Sequence, residues 1–261
     1  MAQKEPQLLL WLGEEKDLEK SIRENAEWEI FQEKQWSIEL GKVWHGIRKQ
    51  RFDYLGPGKA VKGVELDMPG DWQGENAATA IALAYAIHTE VGEGILSEKK
   101  IRGGIANTRC AGCLEQLGNH PPIWTDRASD RNAAHILVDS VKRIAGQRPV
   151  IGILGMERKG ETEGFLEEFC PAAQIVFTIS TENGDGAYEL AEQIQKIQPN
   201  VTAVDSPEEA LEIAGLFAGE GQTTGNEMPV LVIVCPRKAQ EKMRKVISDW
   251  KMPRSWQHQR S

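Results

Sequence analysis

The sequence predicts an α/β protein with a Rossmann-like, mostly parallel sheet, preceded by a smaller segment of helix and short β structure. Two patterns carry this expectation. From Ile123 onward, short apolar runs rich in Val and Ile alternate with longer amphipathic stretches. Strands that read as continuous apolar runs are covered by helices on both faces, which is the signature of a parallel sheet. The second pattern is punctuation: Ser206-Pro207-Glu208-Glu209 places a capping Ser, a Pro at the first helical position and acidic residues in the first turn. All three favour a helix start there.

Taken in order, residues 7 to 50 are rich in Glu, Lys, Leu, Ile and Trp, with Leu18, Ile22, Trp28 and Ile30 loosely at helical spacing. One or two amphipathic helices are expected. Gly56-Pro57-Gly58 is a turn signal, and Val61 to Met68, with Val61, Val64, Leu66 and Met68 apolar, reads as a strand. The run Gly74 to Thr89 carries Ala77, Ala80, Ile81, Ala84, Tyr85 and Ile87, the pattern of a closely packed, largely buried helix.

The alternating part then reads strand Ile123 to Asp126, helix Arg131 to Ile144, strand Val150 to Leu154, helix Glu161 to Phe169 and strand Gln174 to Ile179. It continues with helix Tyr188 to Ile197, strand Val201 to Val204, helix Pro207 to Phe217, strand Val230 to Cys235 and helix Ala239 to Trp250. Gly219 to Met228 is a Gly/Thr-rich loop and Pro253 to Ser261 a polar tail. The expected organisation is an N-terminal segment over 1–105, an α/β domain over 106–252 and a tail over 253–261.

Composition bounds the function classes. The chain has 261 residues, 40% of them hydrophobic and 27% charged, with a formal net charge of −8. That is enough chain for one or two domains with a sizeable core. Interspersed charges leave no cationic face for a polyanion, so nucleic acid is not an expected partner. No apolar run approaches the roughly 20 residues of a membrane helix, and the start lacks the basic region and apolar core of a signal peptide. No membrane association is expected and the cytoplasm is the default location. Four cysteines in a chain of this length are not a disulfide framework.

Three runs carry chemistry-bearing residue types at informative spacing. They are Gly70-Asp71-Trp72-Gln73-Gly74-Glu75-Asn76-Ala77-Ala78-Thr79-Ala80, then Gly104 to Glu115 with Cys110-Ala111-Gly112-Cys113-Leu114-Glu115 at its end, and Trp124-Thr125-Asp126-Arg127-Ala128-Ser129-Asp130-Arg131-Asn132-Ala133-Ala134. Together they resemble the folylpolyglutamate synthase and dihydrofolate synthase branch of the Mur ligase superfamily. That resemblance runs from roughly residue 50 to residue 250 and implies that residues 106 to 252 form a Mur ligase C-terminal-type domain. The preceding segment then corresponds to the end of a central ATPase domain.

The family joins a carboxylate to an amine with ATP and Mg²⁺, so the resemblance implies ATP and Mg²⁺ as cofactors. It also implies Gln73, Asn76, Asp126 and Lys159 as nucleotide-binding positions. Each has a plainer reading. Asn76 can meet a purine edge or satisfy a helix end, and Asp126 can lie near the nucleotide or cap the following helix. His135, one residue past the third run, reads as a surface helix residue.

The departures fall on ligand positions. The first run has Trp72 where the family has His, and the second has Cys113 where it has a phosphate-binding Arg. In the third, Arg127, Ser129, Asp130 and Arg131 stand for Gly, His, Asn and Pro. Only Lys159 survives from the family's D-K-D segment, and Cys235-Pro236-Arg237 replaces the Gly-Ser after the last strand. The chain contains no G-x-x-x-x-G-K-S/T loop, and Gly56-Pro57-Gly58-Lys59-Ala60 has the wrong spacing for one. Cys110 and Cys113 form a C-x-x-C, read as two ordinary thiols, with redox or metal function as the alternative.

The expected function is therefore a relative of folylpolyglutamate synthase with no catalytic residues of its own, acting as a partner or regulator of a complete ligase. Half of a split ATP-dependent amide ligase and a small-molecule-binding α/β module are the alternatives. Trp11, Trp28, Trp36 and Trp44 either cover the apolar surface of the N-terminal segment or mark an interface, as a homo-oligomer or with a ligase or ATPase subunit.

Overall fold

Val230–Val234, each residue at 0% exposure, is the strand around which the second half of the chain is organised. The computed structural model describes residues 39–40, 44–45, 49–56, 58–70, 72–91, 96–157, 162–219 and 228–250. They divide into two compact units, the first reaching Thr108 and the second starting at Arg109, with Met68–Gly70 grouping with the second.

The first unit contains a four-stranded antiparallel sheet of β1 (Glu39–Leu40), β2 (Trp44–His45), β3 (Gln50–Leu55) and β4 (Val61–Leu66). β3 pairs with all three others. Gln50, Phe52 and Tyr54 alternate inward along β3, and Val61, Val64 and Leu66 are buried on β4, where the register between the two strands shifts once. This corrects the helical expectation for residues 7 to 50 over its described part, because 39–40, 44–45 and residue 50 are strand. Their order comes from hydrogen bonds to β3, a partner outside any local window. Residues 1–38, including Trp11, Trp28 and Trp36, lie outside the described residues.

Among the described residues, this unit also has two helices, α1 (Trp72–Val91) and α2 (Glu98–Ala106). Ala77, Ala78, Ile81 and Ala82 are buried along α1, and Tyr85 stacks on Tyr54 with ring centroids 6.3 Å apart. The sequence predicts a closely packed, largely buried helix here, and the structure buries one stripe of it while Glu75, Asn76 and Ala80 are exposed. α2 was not foreseen. Ser97 Oγ caps it by accepting from Lys100 N, and Arg102 ties it to β4 by donating to the carbonyls of Gly63 (2.8 Å) and Lys62.

The second unit is a six-stranded sheet in the order β5-β6-β10-β7-β8-β9. Its strands are β5 (Glu115–Asn119), β6 (Pro122–Asp126), β7 (Val150–Leu154), β8 (Ile175–Thr178), β9 (Val201–Ala203) and β10 (Val230–Val234). β6 to β10 are parallel, and β5 is an antiparallel edge paired to β6. Helices α3 (Arg131–Ala145), α4 (Thr162–Phe169), α5 (Ala187–Gln195), α6 (Pro207–Gly219) and α7 (Arg237–Asp249) join or follow the parallel strands.

Strand alternation sorts the core into two faces. Ile123, Ile151, Ile153, Phe177, Leu231 and Ile233 cluster with Ala210, Leu211 and Ala214 of α6 and Met243 of α7. The register puts Trp124, Val232, Gly152 and Val176 side by side on the other face. Gly152 leaves room there for the Phe169 ring, which an added Cβ would meet at 3.1 Å. This is the doubly covered, mostly parallel α/β sheet predicted from the alternating pattern.

Candidate functional site

In parallel α/β sheets, loops at the carboxyl ends of the strands carry the ligand sites, since side chains there are free of the ladder. In the second unit that edge includes Asp126 at the end of β6 and Cys235-Pro236 at the end of β10. Asp126 is 8% exposed. One carboxylate oxygen accepts from Leu114 N at 2.6 Å, and the other accepts from Arg127 N at 2.8 Å and Ala128 N at 2.7 Å. Burial pushes the carboxyl above the usual Asp range, opposed by those three backbone donors and the Arg127 charge.

The structure corrects one sequence reading of Asp126. The residue that caps α3 is Asp130, whose Oδ1 accepts from Ala133 N at 2.8 Å. Asp126 instead closes the turn onto residues 127 and 128 and pins the Cys110–Cys113 loop through Leu114. Leu114 is fully buried and holds φ at 47°, a left-handed conformation that costs a non-glycine residue energy and needs such an anchor.

The loop itself is held at several points. Gly112 N donates to Glu115 Oε2 at 2.7 Å, Cys113 N donates to the Cys110 carbonyl at 3.2 Å, and Arg244 of α7 forms an ion pair with Glu115. Gln240, buried in α7, donates from Nε2 to the Asp126 carbonyl at 2.8 Å. Cys110 and Cys113 are joined as a disulfide with Cα atoms 5.4 Å apart, which corrects their reading as two ordinary thiols. Sequence spacing shows that two cysteines are near in the chain but not that a turn brings their side chains together. The Arg127 guanidinium donates to Cys113 Sγ at 3.2 Å and Cys110 Sγ at 3.6 Å.

Gln73 and Asn76 belong to the first unit, on the first turns of α1. Gln73 is buried, Asn76 is exposed, and Asn76 Nδ2 lies 3.4 Å from Gln73 Oε1. Lys159 lies outside the described residues. His135 is exposed on α3, where Nδ1 lies 2.9 Å from Glu168 Oε1 and Nε2 is 3.7 Å from Asp139. Glu168 and Asp139 hold its imidazole above the ordinary value.

Sequence reasoning gave no role to Arg127 or Glu115, which it met only within the second and third runs, and did not single out Gln240 or Arg244. Arg127 was visible only as a departure from an expected Gly, and nothing in the spacing linked Gln240 or Arg244 to a loop well over a hundred residues earlier.

At the described end of β6, the side chains differ in chemistry from a Mg²⁺–ATP site as the resembled family would hold it. Among the described residues no three His, Cys, Asp or Glu side chains converge as metal donors. The Asp126 oxygens are already taken by backbone N–H groups, and the Cys113 sulfur offers no cation to a phosphate.

No family model matches the chain. It is 25% identical over 154 residues to the folylpolyglutamate synthase of Lacticaseibacillus casei, a match covering 59% of this chain and 35% of that protein. Among solved structures, Mycobacterium tuberculosis folylpolyglutamate synthase complexed with ADP and AMPPCP superposes with a TM-score of 0.70 at 19% identity, covering 83% of this chain and 48% of that one. The Thermotoga maritima folylpolyglutamate synthase gives 0.62 at 23% identity over 86% and 49%. The UDP-N-acetylmuramate-alanine ligase of Thermotoga maritima gives 0.56 at 14% identity, covering 80% of this chain and 45% of that one. The chain thus spans about half the length of its solved relatives. No described helix is long and apolar enough to cross a membrane. The chain resembles folylpolyglutamate synthase, and its second unit has the mostly parallel α/β fold of a Mur ligase C-terminal domain.

Proposed function

We propose that this chain is a folylpolyglutamate synthase-like, Mur-type module that performs no ligation alone and acts as a partner or regulator of a complete ligase. The observation that carries this reading is Asp126. It is the matched acidic residue at a strand end, and its carboxylate is occupied by Leu114, Arg127 and Ala128 N–H groups rather than open to a ligand. Cys113, in the place of a phosphate-binding Arg, points the same way. Phosphoryl transfer to a carboxylate requires held phosphates and a neutralising cation, and this sequence has no G-x-x-x-x-G-K-S/T run to hold them.

The partner is a ligase or ATPase subunit, or a second copy of this chain, engaged through the first unit. The test is ATP-dependent incorporation of labelled glutamate into a folate by purified chain, alone and with a full-length ligase, combined with light scattering at micromolar concentration. The chain alone should match a no-protein control, and it should co-elute with the ligase or self-associate. Incorporation by the chain alone overturns the reading. A strictly monomeric chain that leaves a ligase unbound and its rate unchanged removes the partner role. Activity that appears only when a separate nucleotide-binding chain is added selects the split-ligase alternative.

A further inference from the structure

We propose that Cys110 and Cys113 form a reversible dithiol/disulfide site that exchanges with small thiols and disulfides, with Arg127 holding Cys113 as the attacking thiolate.

Three observations meet here. The Cα atoms stand 5.4 Å apart, inside the range that a disulfide spans without backbone movement. The loop that sets this distance is fixed independently of the sulfurs by Leu114 N to Asp126, Gly112 N to Glu115, and Arg244 to Glu115. The two thiols of the reduced form are therefore held as neighbours. A guanidinium lies within 3.6 Å of both sulfurs and nearest to Cys113, and a cation beside a thiol favours the nucleophilic thiolate.

Access separates this pair from the other cysteines. Cys110 and Cys113 are partly exposed, whereas Cys170 and Cys235 are buried and their thiols are pushed up to about 12 by desolvation. Only the pair can meet an incoming reagent.

The exchange balances as follows. Cys113 thiolate attacks one sulfur of an incoming disulfide, forming a mixed disulfide and expelling one thiolate. The Cys110 thiol loses its proton to solvent and attacks the Cys113 sulfur, closing the Cys110–Cys113 bond and expelling the second thiolate. Two electrons pass from the cysteine pair to the incoming disulfide, which leaves as two thiols. Reduction by a thiol is the reverse.

The test uses the full chain equilibrated with mixtures of reduced and oxidised glutathione, acid-quenched, labelled with a maleimide and read by peptide mass. Cys110 and Cys113 should lose label together as the mixture becomes oxidising, through one transition, and recover it together. A stable glutathione adduct on either cysteine in place of the internal bond overturns the proposal, as does a pair that stays labelled in every mixture. In a Cys110→Ser background, Arg127→Gln should slow alkylation of Cys113 near neutral pH by at least about threefold, and Arg127→Lys should slow it less. An unchanged rate in a variant whose circular dichroism matches the parent overturns the role of Arg127. The glutathione titration needs no variant and makes no use of ligase activity, so its outcome is separate from that of the proposed function.

Discussion

Gln240 Nε2 donates to the main-chain carbonyl of Asp126 at 2.8 Å, joining α7 to the end of β6 across 114 positions of sequence. The same side chain leaves no room beside Gly112, where an added Cβ would meet Gln240 Oε1 at 1.9 Å. Gly112 has φ of 73°, so its lack of a side chain meets both the backbone conformation and the contact.

Gln240→Ala should therefore destabilise the second unit by about 1–3 kcal/mol, the cost of removing a buried partner from a polar network. Chemical denaturation would read this as a lower midpoint with an unchanged slope. A midpoint equal to the parent's would mean that the Gln240 bond adds nothing to stability.

Asp126→Ala should cost more, about 2–4 kcal/mol, because the buried Leu114 and Ala128 N–H groups both lose their acceptor. On the reading advanced above, its effect is on folding and not on nucleotide affinity. ATP and adenosine should bind the parent about equally, no tighter than roughly millimolar. Calorimetry showing micromolar ATP binding that Asp126→Ala abolishes would reverse that assignment.

Cys170 and Cys235 should resist alkylation in the native chain at pH 8. Burial raises both thiols from 9.0 to about 12, which cuts the thiolate fraction by about a thousandfold. Maleimide labelling before and after denaturation checks this, and rapid native labelling of either residue contradicts it.

His135 should titrate above its ordinary value of 6.5, chiefly because Glu168 bonds its ring. A raised histidine contributes stability that is full below pH 6.5 and is lost as pH rises through the folded-state value. Because the ring is exposed, the contribution is screened and small. A proton NMR titration should show the shift, and Glu168→Gln should return His135 toward the ordinary value.

Much of the second unit was legible in the sequence, because buried parallel strands and amphipathic helices each leave a local pattern. Val150–Leu154 coincides with its predicted strand, and the other predicted strands and helices of this unit fall within a few residues of those observed. β5 escaped notice because Glu115–Asn119 has neither an apolar run nor clean alternation, and it becomes a strand only by pairing with β6. The short strands at 39–40 and 44–45 were missed for the same reason, their order residing in β3.

At the candidate site the inventory was readable along the chain: an acidic residue ending a strand, a C-x-x-C shortly before it, and an Arg where the resembled family has Gly. The role of each is set by the folded arrangement. It assigned helix capping to Asp130 and loop anchoring to Asp126, and it brought the Arg127 guanidinium to Cys113 and Gln240 to the Asp126 carbonyl. The physical reason is range. Strand and helix patterns are set by neighbours a few residues away, whereas a hydrogen bond between Leu114 and Asp126, or between Asp126 and Gln240, exists only after the sheet and its covering helices have closed around it.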